Sequence, residues 1–335
     1  MIDLRSDTVT LPTPEMKEAM MRAKVGDDVY GEDETINKLQ QKAAQMFGCE
    51  AALFCPSGTM TNQIAVNVHT SPGDEVICHA YSHIYNYEGG GVAANSGCQV
   101  RLIHTPRGVF TAKDVEACIM PLADAHAAHT ALVNIENTCN KAGGTVWDLT
   151  EIKNIAKLCR EKNLKLHLDG ARLFNALEAS GDDPKEYGKI FNSISICLSK
   201  GLGAPVGSLL LGDAAFIAQA HRVRKRLGGG MRQAGFLAQA AIYALDHHVS
   251  RLTTDRERAL QIAEALRKNP EIKTVKTPET NIVLFEVEDV PQTLKKLAQA
   301  GIQSGPMGTG TVRFVTHLNL TDADIEKVCE VCEEL

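Results

Sequence analysis

Several features are missing from these 335 residues, and each absence removes a class of protein. No apolar stretch approaches the roughly 18 residues of a membrane span. The first residues, Met1-Ile-Asp-Leu-Arg-Ser-Asp, lack the basic and apolar regions of a signal peptide, so a soluble cytoplasmic protein is expected. There is no excess of positive charge: 35 Lys and Arg against 41 Asp and Glu leave a net charge of −6, which argues against a nucleic-acid partner. Ten cysteines are present without a metal pattern, mostly inside apolar runs (Cys78, Cys159, Cys197, Cys329). Cys329-x-x-Cys332 has no second pair to complete a four-ligand zinc site, so no metal is expected and the thiols read as reduced and buried. No G-x-G-x-x-G follows a strand with an acidic residue about 20 positions on, which removes support for a nucleotide-binding oxidoreductase. Repeats and low-complexity tracts are absent as well. What remains is ordinary globular composition, 44% hydrophobic and 23% charged, in a chain long enough for two domains.

Along the chain, a short helix is expected at Pro14–Ala23 within an otherwise loop-like, polar first 34 residues, then a helix at Thr35–Phe47 stopped by Gly48. Strand Ala51–Cys55 leads through Pro56-Ser57-Gly58 into a helix opening at Thr59. Further strand-like runs are Glu75–His79, Val100–His104, Ala131–Glu136, Leu164–Leu168, Ile194–Leu198 and Val206–Leu211. Helices separate most of them, the clearest at Asp148–Lys162, where Asp148 and Glu151 suggest a capping box. Such alternation predicts an α/β fold with a mostly parallel sheet covered on both faces. Past Asp213–Leu227, Gly228-Gly229-Gly230 breaks the chain before helices at Met231–His247 and Ser250–Lys268. Strand Asn281–Val287, helix Pro291–Gln299, strand Thr311–Thr316 and helix Thr321–Glu334 then suggest a small α+β unit. The expected division is a large domain, 1–247, and a small C-terminal domain, 248–335.

Chemistry is concentrated at the strand ends, where ligands of parallel sheets bind. Lys200 follows the run Ile194–Leu198 into a loop carrying Gly201, Gly203 and Gly207. A lysine between an apolar strand and small residues is poorly hydrated, which favours its use as a Schiff-base nucleophile. Asp169 ends Leu-His-Leu-Asp and is suited to pair with a protonated pyridine nitrogen; Arg172 lies three residues on. Ser57, Gly58 and Thr59 stand between a strand and a helix, where free backbone amides hold an anion; an ordinary N-capping turn is the competing reading. An anion cradle, a pyridinium partner and a Schiff-base lysine together suit pyridoxal 5'-phosphate.

These residues belong to longer stretches that resemble one family. Leu166–Ala176 (LHLDGARLFNA), Cys197–Ser208 (CLSKGLGAPVGS) and Leu227–Gly235 (LGGGMRQAG) are similar to the low-specificity L-threonine aldolases. So are Leu4–Thr10 (LRSDTVT), Gly26–Gly31, Ile135–Thr138 and Val312–His317, in one order over essentially the whole chain. The resemblance implies a pyridoxal-phosphate fold of type I, usually assembled as a homotetramer with sites shared between subunits. It implies cleavage of L-threonine or L-allo-threonine to glycine and acetaldehyde, through an aldimine and a glycine quinonoid. By position, Lys200 would carry the cofactor, Asp169 its ring nitrogen, and Gly58 and Thr59 its phosphate. His83 matches the histidine that stacks on the ring and contacts the substrate hydroxyl. Ser6, Arg172 and Arg313 match residues gripping the carboxylate of a β-hydroxy-α-amino acid. His126 matches a second active-site histidine, and Lys225 and Arg232 match basic residues reaching the cofactor, in part from a neighbouring subunit. The base is open between His83, His126 and an ordered water. A related β-eliminating lyase, or an aldolase for a bulkier β-hydroxy amino acid, is the alternative.

Two positions depart from the family pattern: Cys139 stands where a histidine is common and His129 where an arginine is expected. His79, His104, His167, His247 and His248 read as structural.

Overall fold

The computed structural model describes all 335 residues. At its centre lies a seven-stranded sheet, in spatial order Ala51–Cys55, Ser208–Gly212, Ser193–Cys197, Lys165–Gly170, Thr130–Glu136, Glu75–His79 and Gln99–Ile103. Only Ser208–Gly212 runs against its neighbours; every other strand points the same way. Both faces are covered, so inner strands such as Thr130–Glu136 and Ser193–Cys197 are buried at every residue. Helices Glu34–Phe47, Leu149–Glu161 and Gly235–His247 pack one face through Phe47, Ile152, Ile155 and Ala241. Helices Gly58–His69 and Ala214–Arg226 pack the other through Ile64, Ala65, Phe216 and Ala220.

Local chemistry sets the boundaries. Asp33 caps Glu34–Phe47 by accepting from Ile36 N–H at 3.0 Å, and Gly48 ends it at φ +65°. The strand expected from Val206 begins instead at Ser208, because Gly207 turns the chain at φ +118° beneath the Phe54 ring. The expected capping box at Asp148 is half present. Asp148 accepts from Thr150 N–H, but the Glu151 carboxylate takes the Ala112 N–H of another helix.

A four-stranded antiparallel sheet follows, with Ile282–Glu286 paired to Thr311–Val315 and edged by Thr274–Val275 and Gly305–Pro306. Its core joins Ile262, Leu266, Val283, Phe285, Phe314 and Val328 to two residues from the chain's start, Ile2 and Leu4. That start is not loop throughout: Ile2–Asp3 pairs in parallel with Ile302–Gln303. The segment after it crosses to the large sheet, where Thr10 Oγ1 donates to the Lys200 carbonyl at 2.9 Å. No helix is long and apolar enough to cross a membrane.

Candidate active site

The parallel strands deliver their carboxyl ends to one edge. Ser57–Thr59 follow Cys55, His83 follows His79, Glu136 and Asp169 lie side by side in register, and Lys200 follows Cys197. A cavity of about 340 Å³ opens there, lined by Ser6, Thr8, His83, Tyr87, Asn140, Arg172, Lys200, Pro306, Met307 and Arg313. The N-terminal segment, the large sheet and the small sheet therefore each supply a wall.

Ser57 caps helix Gly58–His69, its Oγ accepting from Met60 N–H at 3.2 Å. Gly58 is obligatory on packing grounds, since a Cβ there would meet Cys197 Sγ at 2.5 Å. Thr61 Oγ1 pins the same turn to the sheet by a 2.6 Å hydrogen bond with Ser195 Oγ. The result is a helix start with free N–H groups at the same edge of the sheet as Lys200, the arrangement that receives a phosphate.

Two guanidinium groups approach the opposite side. Arg172 is buried and donates through Nε and Nη2 to the two Asp7 oxygens, both at 2.7 Å. Burial would raise the Asp7 carboxyl, but Arg172, the Lys200 charge and Asn281 outweigh it and hold it at about 2. Arg313 donates to Asn140 Oδ1 and to the Arg5 carbonyl, each at 2.9 Å, while its buried Nε has no partner. Burial, then the nearby Arg172 charge, lowers the Arg313 guanidinium from its ordinary value, as expected where two like charges await an anion.

Beneath the cavity lies a buried carboxylate network. Asn62 Nδ2 donates to Asp169 Oδ2 at 2.9 Å and to Glu88 Oε1 at 2.8 Å; His83 Nδ1 lies 2.8 Å from the same Glu88 oxygen. Glu136 accepts from His83 N–H at 2.7 Å and Asn140 N–H at 2.9 Å. Burial and then the charge of Asp169 push Glu136 up to about 7. For His83, burial pulls down, but the Glu88 hydrogen bond and the charges of Asp169, Glu88 and Glu136 leave it above its ordinary value. Ligand-type atoms of His83, Glu88 and Asp169 lie within 4.8 Å of one another. Their contacts are already filled by N–H donors, so the cluster is held by hydrogen bonds.

Other sequence-predicted residues lie elsewhere in the chain. His126 is exposed just before strand Thr130–Glu136, at the amino end of the sheet rather than beside Lys200. Lys225 is exposed at the end of helix Ala214–Arg226, beside His221 and Gly230, and Arg232 pairs with Asp27 at 2.9 Å. Cys139 is buried against Gly108, with its thiol pushed up by burial, and His129 pairs with Asp74 on the surface. His167, expected to be structural, lies in the layer beneath Asp169, its Nε2 3.1 Å from Asn62 Oδ1.

Sequence reading did not single out Asp7, Asn62, Glu88, Glu136 or Asn140. Asp7 and Glu136 sit inside motifs it did quote, LRSDTVT and IENT, so a signal existed for those two. Asn62 and Glu88 carry none, because their importance arises only when separate elements converge.

This edge, with its lysine, its buried aspartate and its helix-start anion seat, is that of a pyridoxal-phosphate-dependent lyase, and residues 3–290 match the beta-eliminating lyase family. The fold is shared with the threonine aldolase of Leishmania major (TM-score 0.87, 23% identity, 100% of this chain and 99% of that one). The low specificity L-threonine aldolase of Escherichia coli K12 is 43% identical, covering 98% of this chain and 97% of its own. The probable low-specificity L-threonine aldolase 2 of Arabidopsis thaliana is 41% identical, covering 100% and 97%. The chain belongs to the low-specificity L-threonine aldolases.

Proposed function

We propose that the chain cleaves L-threonine and L-allo-threonine to glycine and acetaldehyde with pyridoxal 5'-phosphate. One observation carries the reading: Lys200, the Arg172–Arg313 pair and His83 line a single cavity, directly above Asp169's hydrogen-bonded layer.

The residues present fit the cofactor. Gly58 packs directly against Cys197, which fixes the helix start whose free N–H groups would hold the phosphate. Asp169 is a buried carboxylate suited to a ring N–H, and Lys200 offers an amine for covalent attachment. When bound, pyridoxal phosphate supplies a carbonyl for the substrate amine and a ring that accepts the electron pair released at Cα. The protein orients and moves protons. Arg172, Arg313 and Ser6 hold the substrate carboxylate, which fixes the bond to be broken. His83 Nδ1–H points to Glu88, leaving Nε2 to take the proton of the β-hydroxyl, directly or through one water. Loss of that proton lets the Cα–Cβ bond break and the aldehyde leave. A proton returned to Cα completes glycine.

The sites are shared between subunits of a homotetramer. Lys225 and Arg232 sit near exposed Val25, Tyr30 and Phe236, and His126 near exposed Leu122, surfaces suited to another copy. Each subunit comprises a cofactor-binding domain, 1–247, and a small domain, 248–335. Ten free thiols fit a reducing cytoplasm.

The test is product analysis of the protein loaded with pyridoxal phosphate and given each threonine diastereomer. Equimolar glycine and acetaldehyde are expected. Ammonia with a keto acid would replace this reading by β-elimination.

A further inference from the structure

We propose that Asn62 is a positioning residue that joins the ring-nitrogen partner, Asp169, to the His83–Glu88 pair, so that one amide serves both halves of the site. The inference rests on the reading of Asp169 as the cofactor's partner given above.

The geometry admits one orientation of the Asn62 amide. Its nitrogen faces two carboxylate oxygens, Asp169 Oδ2 at 2.9 Å and Glu88 Oε1 at 2.8 Å, and its oxygen faces His167 Nε2 at 3.1 Å. The reverse orientation would set one acceptor against two others. Both amide hydrogens are thus spent, one on each carboxylate. Asn62 is itself 2% exposed, so no water replaces it.

Proton positions follow outward from that amide. Burial holds His167 down at about 4, so the ring is neutral and carries one hydrogen. Asn62 Oδ1 claims it at Nε2. His167 Nδ1 then accepts from Ser193 Oγ at 2.8 Å, and the Ser193 carbonyl, 3.2 Å away, receives no hydrogen from this ring. Ser193 Oγ in turn accepts from His69 Nε2 at 2.8 Å. On the cavity side, Glu88 Oε1 accepts from both Asn62 and His83 Nδ1, and Gln63 Nε2 holds Glu88 Oε2 at 2.6 Å. Glu88 has no freedom to turn away, and His83 keeps Nε2 open.

Without the amide, Asp169 and Glu88 would face one another with no donor between them. Carboxylates so placed take up a shared proton. That proton would remove the charge from the ring's partner and loosen His83 together. The ionisable groups around the amide are Glu88 and His83 after strand Glu75–His79, Glu136 from Thr130–Glu136, His167 and Asp169 from Lys165–Gly170, and His69 from its own helix. Lys200, Arg172 and Arg313 are the cations at the cavity.

The measurement is the dissociation constant of pyridoxal phosphate from cofactor-stripped protein, by equilibrium dialysis at pH 6 and pH 8. In Asn62→Leu, the weakening from pH 8 to pH 6 should exceed that of the parent protein by about tenfold. Adding Glu88→Gln removes one of the facing charges and should restore the parent's pH dependence, although the leucine remains. Asn62→Ser serves in the same assay if the leucine variant does not fold. An Asn62 variant with the parent's pH dependence overturns the proposal, as does a double variant matching the single one. Failure of the unaltered protein to bind pyridoxal phosphate at either pH would instead overturn the functional reading.

Discussion

Arg172 and Asp7 form a two-point ion pair between residues 165 apart in sequence, and both are buried. Arg172 therefore meets the cavity already oriented, with its fork fixed from behind by the N-terminal segment. Removing one member of a buried pair leaves the other charge unmatched, at a cost of about 3–5 kcal/mol. Asp7→Ala should lower unfolding free energy by that order in a denaturant titration. The pH dependence has a definite sign. Asp7 is depressed in the fold, so its contribution is complete above the unfolded value near 4 and is lost as pH falls toward about 2. Asp7→Asn should lose less stability than the parent across that window; an unchanged acid transition would assign it to other groups.

Gly58 leads to a prediction with its own control. Gly58→Ala places a methyl group against Cys197 Sγ, an overpacking that costs about 1–3 kcal/mol and shifts the helix start. Cofactor affinity should fall in step, by about tenfold or more on that scale. Cys197→Ala in the same chain opens the space and should recover most of it. No recovery would mean that the loss has another origin.

Arg313 lines the cavity, where a substrate carboxylate can accept from its Nη1 and Nη2 groups. Arg313→Ala should raise KM about 10- to 100-fold, the range for charged hydrogen bonds, with cofactor absorbance unchanged. Arg313→Lys should recover only part, since an ammonium cannot bind in two-point fashion. Unaltered kinetics in the alanine variant would take Arg313 out of the site.

The proposed sharing of sites between subunits makes a prediction about mixtures. Lys200→Ala should be inactive and Lys225→Ala weakened. If Lys225 serves a neighbour's site, unfolding and refolding the two together forms some sites with both lysines intact. Activity should then rise above that of either variant treated alone. A mixture no better than its components would make each site self-contained.

How much of this was legible in the sequence depends on where each signal lies. Lys200, Asp169 and the Ser57–Thr59 turn announce themselves locally, because each follows a buried apolar strand and is flanked by glycine or a cap residue. The strand at Ser208–Gly212 was legible as a strand but not in direction, since buried apolar runs look alike in either orientation. The pairing of Ile2–Asp3 with Ile302–Gln303 was not legible at all: two residues carry no period. Asn62 reads as one polar residue on a helix until the fold sets Asp169 and Glu88 on either side of it. His126 shows the converse, a matched position that the fold leaves outside the cavity.

The pairing of Ile2–Asp3 with Ile302–Gln303 also fixes an order of events during synthesis. The strands of the large sheet are translated, and can pair, well before residue 302 exists. The first residues cannot take their place until nearly the whole chain has been made, and closing so long a loop carries an entropic cost. Asp7 rides on that segment. Its carboxylate also accepts from Asn281 Nδ2 at 3.2 Å, a residue made late, and a nascent chain interrupted before the C-terminal sheet would hold the lysine but, lacking Arg313, not the finished clamp.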